Sequence, residues 1–207
     1  MQPKVLFIDW DGTLSNSRFW ERWRTNPKEL IKYQLIEEVL FRDSKDLLVE
    51  WMCGYKTAGN VVQYIADVTG LLYEELITEL QHSCENMVFI DEDLIHSIQK
   101  IRDKGIGVVV ATDNMDTFSR WTAPALKLDD YFDGTLLSVD RGALKAYVSA
   151  DGTSPFFNHF FLSTGIKPNE TVLLDNSPDN RAVESFGMKF LQVTDKTPLS
   201  SRLLQFT

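Results

Sequence analysis

Two carboxylates close the first apolar run of the chain, in the segment FIDWDGTL at residues 7–14. The run at 5–8 has the composition of a buried strand, Asp9 ends it, and Asp11 follows two residues later. Burying an unpaired carboxylate costs free energy, so this pair needs an explanation. One carboxylate can attack phosphorus, a second can give and take a proton, and together they can hold a hard cation such as Mg²⁺.

Polar side chains also follow two later apolar runs, so three candidate strands end in the same way. The run at 106–112 ends in the sequence TDN (112–114), and the run at 171–175 ends in DNS (175–177). Ligands of an open parallel sheet bind in the crevice beyond the carboxyl ends of its strands. If these strands are neighbours, their ends share one crevice, where a threonine hydroxyl and a lysine ammonium would hold phosphoryl oxygens.

Each of these segments also has an ordinary structural explanation. Asp11 and Gly12 form a common turn pair, and Asp113, Asn114 or Ser177 can cap a following helix. The recurrence of polar groups at three strand ends favours a functional explanation, because carboxylates are rarely buried without a partner.

The elements that must position these residues follow an α/β pattern. Apolar runs at 4–9, 106–112 and 171–175, with a weaker one at 189–193, are typical of parallel strands covered on both faces. Helical patterns separate them, which predicts a doubly wound, Rossmann-like parallel sheet. Residues 15–90 contain no convincing strand and several amphipathic stretches. We therefore expect a core domain at 1–14 and 91–207 and an all-helical cap domain at 15–90.

Helix start and stop residues indicate three helices in the expected core. Residues 91–104 begin with three acids and are followed by Gly105. A second helix is expected at 155–164, with Ser154 as its cap and Pro155 in its first turn. A third is expected at 178–186, after Ser177.

Composition limits the partners of the chain. It has 207 residues, a net charge of -9 and 43% apolar residues, which is typical of a globular protein. The acidic balance disfavours nucleic acid and anionic membrane surfaces, both of which attract basic side chains. Two cysteines make no disulfide framework, and no signal-peptide or membrane-spanning run is apparent. We expect a cytoplasmic protein, as a monomer or homodimer.

The polar segments resemble the motifs of the haloacid dehalogenase superfamily. DWDGTL is similar to the first motif of that family, Asp-x-Asp-Gly-Thr, and VVVATDN, GALK and LLDNSPDN follow in the family's order. The resemblance covers residues 4–193. It places the helical stretch between the first and second motifs, where the family's type-1 cap sits.

The resemblance implies a role for each motif residue. Asp9 would be the nucleophile and a Mg²⁺ ligand, and Asp11 the general acid and base, with its carbonyl on the metal. Thr112 would hold the phosphoryl group, and Lys145 would orient the nucleophile. The end of the third strand, at 175–176, would complete the metal site. Because family members that cleave carbon–halogen bonds lack the second aspartate, Asp11 favours phosphoryl transfer.

Asn176 departs from the family pattern, because it stands where the metal-binding aspartate is usual. An amide offers a neutral oxygen to the cation, which weakens the attraction. Three outcomes are open. Asn176 can bind Mg²⁺ weakly, Asp175 or Asp179 can substitute for it, or catalysis can be impaired.

The second and third motifs also depart from the pattern. Asp113 intervenes before Asn114, where an acid can repel phosphate unless its side chain turns away and only its backbone N–H donates. Lys145 lacks the proline that often follows the family's lysine, so Lys127 and Lys167 are alternative candidates.

The segment SRFWERWR at 17–24 pairs aromatic rings with arginines. One interpretation is a substrate-facing patch in which Arg18 grips a second anionic group. The other is an amphipathic helix that packs its rings into the cap core and leaves the arginines in water.

Taken together, the sequence predicts a Mg²⁺-dependent phosphatase acting on a small phosphorylated metabolite. A phosphomutase uses the same residues and is a close variant. The alternative of another class is a catalytically impaired module that binds a phosphorylated ligand or a protein, which Asp113 and Asn176 motivate.

Overall fold

The architecture is a five-stranded parallel sheet with helices on both faces. The computed structural model describes residues 2–178 and 181–207. The strand order is β3-β2-β1-β4-β5, and every pairing is parallel. The strands are β1 (Val5–Ile8), β2 (Gly107–Thr112), β3 (Thr135–Leu137), β4 (Thr171–Asp175) and β5 (Lys189–Gln192). The predicted α/β sheet is confirmed, and the four predicted strands are all present.

Continuous apolar runs form these strands because both faces of the sheet are covered. Leu6 and Ile8 of β1 lie in a large core cluster that extends into the helices following the strand. Phe7 points to the other face, where its ring lies 5.2 Å from that of Phe157. β1 is the central strand, so its carboxyl end is flanked by the ends of β2 and β4.

Residues 21–85 are helical, as the sequence predicts for this stretch. A π-helical segment at Glu38–Asp43 continues the second helix. Thr57 and Asn60 form a capping box at the start of the fourth helix. The helices are α1 (Glu21–Thr25), α2 (Leu30–Glu37), α3 (Lys45–Met52), α4 (Ala58–Thr69) and α5 (Tyr73–Glu85). We call them the insertion helices; the division of the chain into core and cap domains stays a prediction.

The segment SRFWERWR packs mainly as an amphipathic element. Trp20 is completely buried, and its ring N–H donates to the Leu76 carbonyl at 2.9 Å. Trp23 is also buried, whereas Arg22 forms an ion pair with the buried Glu79. The rings of Trp20 and Trp23 therefore belong to the core of the insertion.

The remaining helices cover the sheet, and a second π-helical segment lies at Phe118–Thr122. The helix at 155–164 agrees with the prediction, including its Ser154 cap. The one predicted at 91–104 begins three residues later. The helix expected at 178–186 is seen at Arg181–Ser185, and part of its expected start lies outside the described residues. These helices are α6 (Leu94–Asp103), α7 (Ala123–Leu126), α8 (Leu128–Tyr131), α9 (Ser138–Arg141), α10 (Pro155–Thr164), α11 (Arg181–Ser185) and α12 (Leu199–Leu203).

Two connections join the insertion helices to the sheet, and they run side by side. The Ser15 hydroxyl donates to the Val88 carbonyl at 2.6 Å, and the Ile90 N–H donates to the Leu14 carbonyl at 2.8 Å. The insertion therefore leaves and re-enters the core at one place, beside the end of β1. Among the described residues, no helix has the length and apolar character needed to cross a membrane.

Candidate active site

The carboxyl ends of β1, β2 and β4 meet in one crevice, as the sequence predicts for neighbouring strands. Ile8 is in register with Val110 of β2 and Leu174 of β4. The residues that follow these strands therefore lie side by side. They line a cavity of about 220 Å³, whose polar walls include Asp9, Asp11, Thr112, Asp113, Lys145, Asp175, Asn176 and Ser177.

Lys145 stands at the centre of this cluster, between two aspartates from different strands. Its Nζ donates to Asp9 Oδ1 at 2.5 Å and to Asp175 Oδ2 at 2.6 Å. All three residues are buried. The alternative lysines, Lys127 and Lys167, are exposed and contribute nothing to this cavity.

Burial and charge shift the pKa values of Asp9 and Lys145. Burial raises the pKa of Asp9 to about 6, with a further upward push from Asp175, and Lys145 opposes the rise. Burial alone would lower the pKa of Lys145. The carboxylates of Asp9, Asp175 and Asp113 together outweigh that effect and raise it. Lys145 therefore stays cationic at neutral pH.

Thr112 brings an unsatisfied hydroxyl to the same cavity. Its Oγ1 is buried and has no hydrogen-bond partner among the described residues. A buried hydroxyl without a partner costs free energy, so native structures rarely keep one without a reason. The group is available to a ligand bound next to Asp9 and Lys145.

The side chains of Asp113 and Asn114, two candidate substrate-binding residues, bond to backbone groups. Asp113 Oδ1 accepts a hydrogen bond from the backbone N–H of Lys145 at 2.8 Å. Asn114 Oδ1 accepts from the backbone N–H of Met115, and the Asn114 N–H donates to the Ser138 hydroxyl. The Asp113 side chain thus holds the loop that carries Lys145.

Asp11 lies at the mouth of the cavity and forms an ion pair with Arg18. Both side chains are largely exposed. The pair places the predicted general acid and the predicted substrate-binding arginine together. It also engages one oxygen of the Asp11 carboxylate.

The turn after β1 and the end of β4 are in close contact. Gly12 has a φ of +70°, and a Cβ added to it would lie 2.1 Å from the Asn176 side-chain nitrogen. The Asn176 N–H donates to the Thr13 hydroxyl at 3.1 Å. Only glycine fits at position 12, and the Asn176 amide lies directly against the turn that contains Asp11.

The oxygen donors predicted for a metal are partly committed to the protein. Asp175 accepts hydrogen bonds from Lys145 and from the Ser177 N–H, one on each carboxylate oxygen. In the described part of the chain, no three His, Cys, Asp or Glu side chains are grouped as a metal site. Asp179, an alternative ligand, lies outside the described residues. Asp9, the Asp11 carbonyl and Asn176 are the other oxygen donors of the predicted set.

A second, larger cavity of about 400 Å³ adjoins the first, between the strand ends and the insertion helices. Asp11 and Asp113 line both cavities. Arg18 and Asn114 line only the larger of these two.

Sequence reasoning missed two residues that shape this region. Thr13 belongs to the DGT segment, so its type and place were visible, but its contact with Asn176 depends on the folded turn. Ser138 follows β3, an edge strand of three residues that carries too little pattern to be recognised. Its hydroxyl donates to the Met52 carbonyl and so joins the insertion helices to the core.

Comparison with solved structures identifies the fold. No protein-family model and no curated protein matches the sequence. A HAD family enzyme from Bacteroides thetaiotaomicron aligns with a TM-score of 0.73 and 23% identity, over 95% of this chain and 98% of that chain. Its wild-type complex with magnesium and inorganic phosphate gives a TM-score of 0.67 and 19% identity, over 93% and 94% of the two chains.

An L-2-haloacid dehalogenase from Xanthobacter autotrophicus is also similar. It aligns with a TM-score of 0.67 and 15% identity, over 100% of this chain and 84% of that chain. The order of the strands, the insertion after β1 and these likenesses agree with the expectation from the sequence motifs. The chain therefore has the fold of the haloacid dehalogenase (HAD) superfamily.

Proposed function

We propose that the chain is a Mg²⁺-dependent phosphatase that hydrolyses a small phosphorylated metabolite through an aspartyl-phosphate on Asp9. The observation that carries this proposal is the buried, unpartnered Thr112 hydroxyl in the cavity that holds Asp9 and Lys145. A phosphoryl group offers the acceptor oxygens that such a hydroxyl and an ammonium need. The structural neighbour with bound magnesium and inorganic phosphate supports the same chemistry.

In the first step, a carboxylate oxygen of Asp9 attacks phosphorus, and the bond from phosphorus to the ester oxygen breaks. Asp11 donates a proton to the departing oxygen, which leaves as an alcohol. Lys145 and Thr112 bind the phosphoryl oxygens while this happens. The ion pair between Asp11 and Arg18 has to open before Asp11 can act.

In the second step, Asp11 takes a proton from water, and the water oxygen attacks phosphorus. The bond between phosphorus and Asp9 breaks, which releases inorganic phosphate and restores the Asp9 carboxylate. Lys145, hydrogen-bonded to Asp9 Oδ1, stabilises the carboxylate as it re-forms.

The donors at the turn after β1 fit a magnesium ion, which prefers oxygen ligands and few carboxylates. The contact between Asn176 and Gly12 holds the amide against the turn that contains Asp11. Asp9, the Asp11 carbonyl and Asn176 would hold the ion. When bound, it offsets the repulsion between the carboxylates and the phosphoryl group.

A second candidate is a binding module without turnover. Two observations favour it: both oxygens of Asp175 are engaged by the protein, and Asn176 brings no charge to the metal donors. Such a module would bind a phosphorylated ligand with the same affinity in the presence and absence of Mg²⁺.

The test is the release of phosphate from a generic aryl phosphate, with and without Mg²⁺. We expect metal-dependent turnover that disappears in Asp9→Asn. Asp129→Asn, an exposed change on α8, is the control and should keep full activity. Turnover that persists in Asp9→Asn would exclude the proposed nucleophile. Absence of turnover together with metal-independent binding of the ester would favour the binding module.

A further inference from the structure

The larger cavity lies where the leaving group of a bound phosphate ester would lie. It adjoins the cavity of Asp9 and Lys145, and the two share Asp11 and Asp113 as walls. A phosphate ester with its phosphoryl group next to Asp9 would extend its alcohol past Asp11 into this space. At about 400 Å³, the cavity lies within the roughly 300–1,000 Å³ usual for small-molecule sites.

Half of the residues around this cavity are apolar, and the insertion helices, the strand-end loops and the re-entering connection all contribute to them. The aromatic members offer ring faces and edges to a ligand, and the methionines adapt to its shape. The seven are Trp10, Phe19, Phe41, Leu48, Met52, Met87 and Met115.

Several polar residues of the same walls make bonds within the protein. Arg18 pairs with Asp11 and is released when that ion pair opens. The Ser17 hydroxyl accepts from the backbone N–H of Val88 at 3.0 Å. Asp113 and Asn114 bond to backbone groups, as described above.

A polyhydroxylated alcohol would gain little from the apolar half of these walls. Each hydroxyl that leaves water needs a new hydrogen-bond partner, and an unpaired one costs free energy on binding. An apolar ring needs no such partner and gains from burial against the aromatic and methionine side chains.

From the proposed phosphatase chemistry and this lining together, we infer that the substrate is the phosphate monoester of an apolar, ring-sized alcohol, such as an aryl alcohol, rather than a sugar phosphate. The ring of the alcohol would contact Trp10, Phe19 and Phe41. Met52, Met87 and Met115 line the cavity beside these aromatic residues.

The first test compares kcat/KM for 1-naphthyl phosphate and glucose 6-phosphate. We expect a preference of at least about tenfold for the naphthyl ester, the factor that about 1.4 kcal/mol of extra apolar burial provides. Equal values, or a preference for the sugar phosphate, would overturn the inference while leaving the proposed hydrolysis intact.

The second test substitutes a residue in the wall of the larger cavity. Phe41 is 40% exposed, so Phe41→Ser should fold, and its expected effect is an increase of about fivefold or more in KM for the naphthyl ester alone. Phe41→Leu should restore most of the affinity. Leu35→Ser is the control, because Leu35 is 39% exposed and borders neither cavity. An unchanged KM in Phe41→Ser would contradict the assignment.

The third test separates the substrate class from the chemistry. Asp9→Asn is titrated calorimetrically with 1-naphthyl phosphate and with inorganic phosphate. Tighter binding of the naphthyl ester, weakened by Phe41→Ser, would support the cavity assignment even if the wild type shows no turnover. No difference between the two ligands would overturn it, whatever the wild type hydrolyses.

Discussion

Lys145 reaches the candidate site from a loop, and at the residue scale its position depends on a bond made by its own backbone. Asp113 accepts the Lys145 N–H, while the Lys145 ammonium bridges Asp9 and Asp175. The acid that stood out in the sequence as a potential obstacle to phosphate therefore serves as a positioning residue for the lysine.

We predict that Asp113→Ala lowers kcat/KM for an aryl phosphate by about tenfold, because one lost hydrogen bond in a buried site is worth about 1.5 kcal/mol. Asp113→Asn keeps an acceptor oxygen and should retain most of the activity. Steady-state kinetics of the two variants provide the measurement. Equal losses in both would show that the charge of Asp113 matters instead of its hydrogen bond.

Gly12 is the second residue on which the site geometry depends. Gly12→Ala combines a positive φ with a clash against Asn176, so we expect loss of turnover and destabilisation by more than about 1 kcal/mol. Gly70→Ala is the matched control, since Gly70 has a φ of +75° and no atom within 4 Å of an added Cβ. Denaturant unfolding and phosphate release should separate the variants. Similar losses in both would attribute the effect to backbone strain alone.

At the scale of elements, Asp116 joins the insertion helices to the core. The Trp51 ring N–H donates to Asp116 Oδ1 at 2.7 Å, and the Ala58 N–H, at the start of α4, donates to the same oxygen at 3.0 Å. A carboxylate at a helix N-terminus is also favoured by the helix dipole. This contact and the Ser138–Met52 bond hold the insertion over the strand ends.

Asp116→Ala should lower the free energy of unfolding by about 2 kcal/mol, because it leaves two donors without their partner. Arg120→Ala is the control. Arg120 forms an exposed ion pair with Asp116, and its loss should cost less than about 1 kcal/mol. Urea unfolding of both variants measures these two losses in the free energy of unfolding. If Arg120→Ala were as costly as Asp116→Ala, the surface ion pair would be the main contact.

The sequence was informative wherever a pattern was long or had clear ends. The apolar runs of β1, β2 and β4 and the capped α10 were predicted correctly. β3 was missed because three residues at a sheet edge carry no periodicity, and the π-helical segments leave no distinct pattern. The direction of side chains could not be predicted from the sequence either. The contact of Asp113 with Lys145, for example, joins residues 32 positions apart and exists only after folding.

At the scale of the whole molecule, a buried thiol makes stability depend on alkaline pH. Burial raises the pKa of Cys84 from 9.0 to about 12. Above pH 9 the thiol of the unfolded chain releases a proton that the folded chain keeps. The contribution of this thiol to the free energy of unfolding is therefore complete below pH 9 and is lost as pH rises towards 12. The slope is at most about 1.4 kcal/mol per pH unit.

Cys84→Ala should reduce this slope, even though the smaller side chain also lowers stability at every pH. Denaturant unfolding at pH 8 and pH 10 measures it, and the difference between the two pH values is the informative quantity. If the variant and the wild type lose the same free energy between these values, the Cys84 thiol is not the group responsible.

The proposed hydrolysis depends on the Asp9 carboxylate as the nucleophile that attacks phosphorus. The most direct measurement is to quench the enzyme during turnover of an aryl phosphate, reduce it with borohydride and analyse the peptides by mass spectrometry. Borohydride converts an aspartyl-phosphate to homoserine, so we predict that product at position 9 and at no other aspartate, only when substrate is present. Turnover with an unmodified Asp9, or with the label on Asp11 or Asp175, would contradict the account.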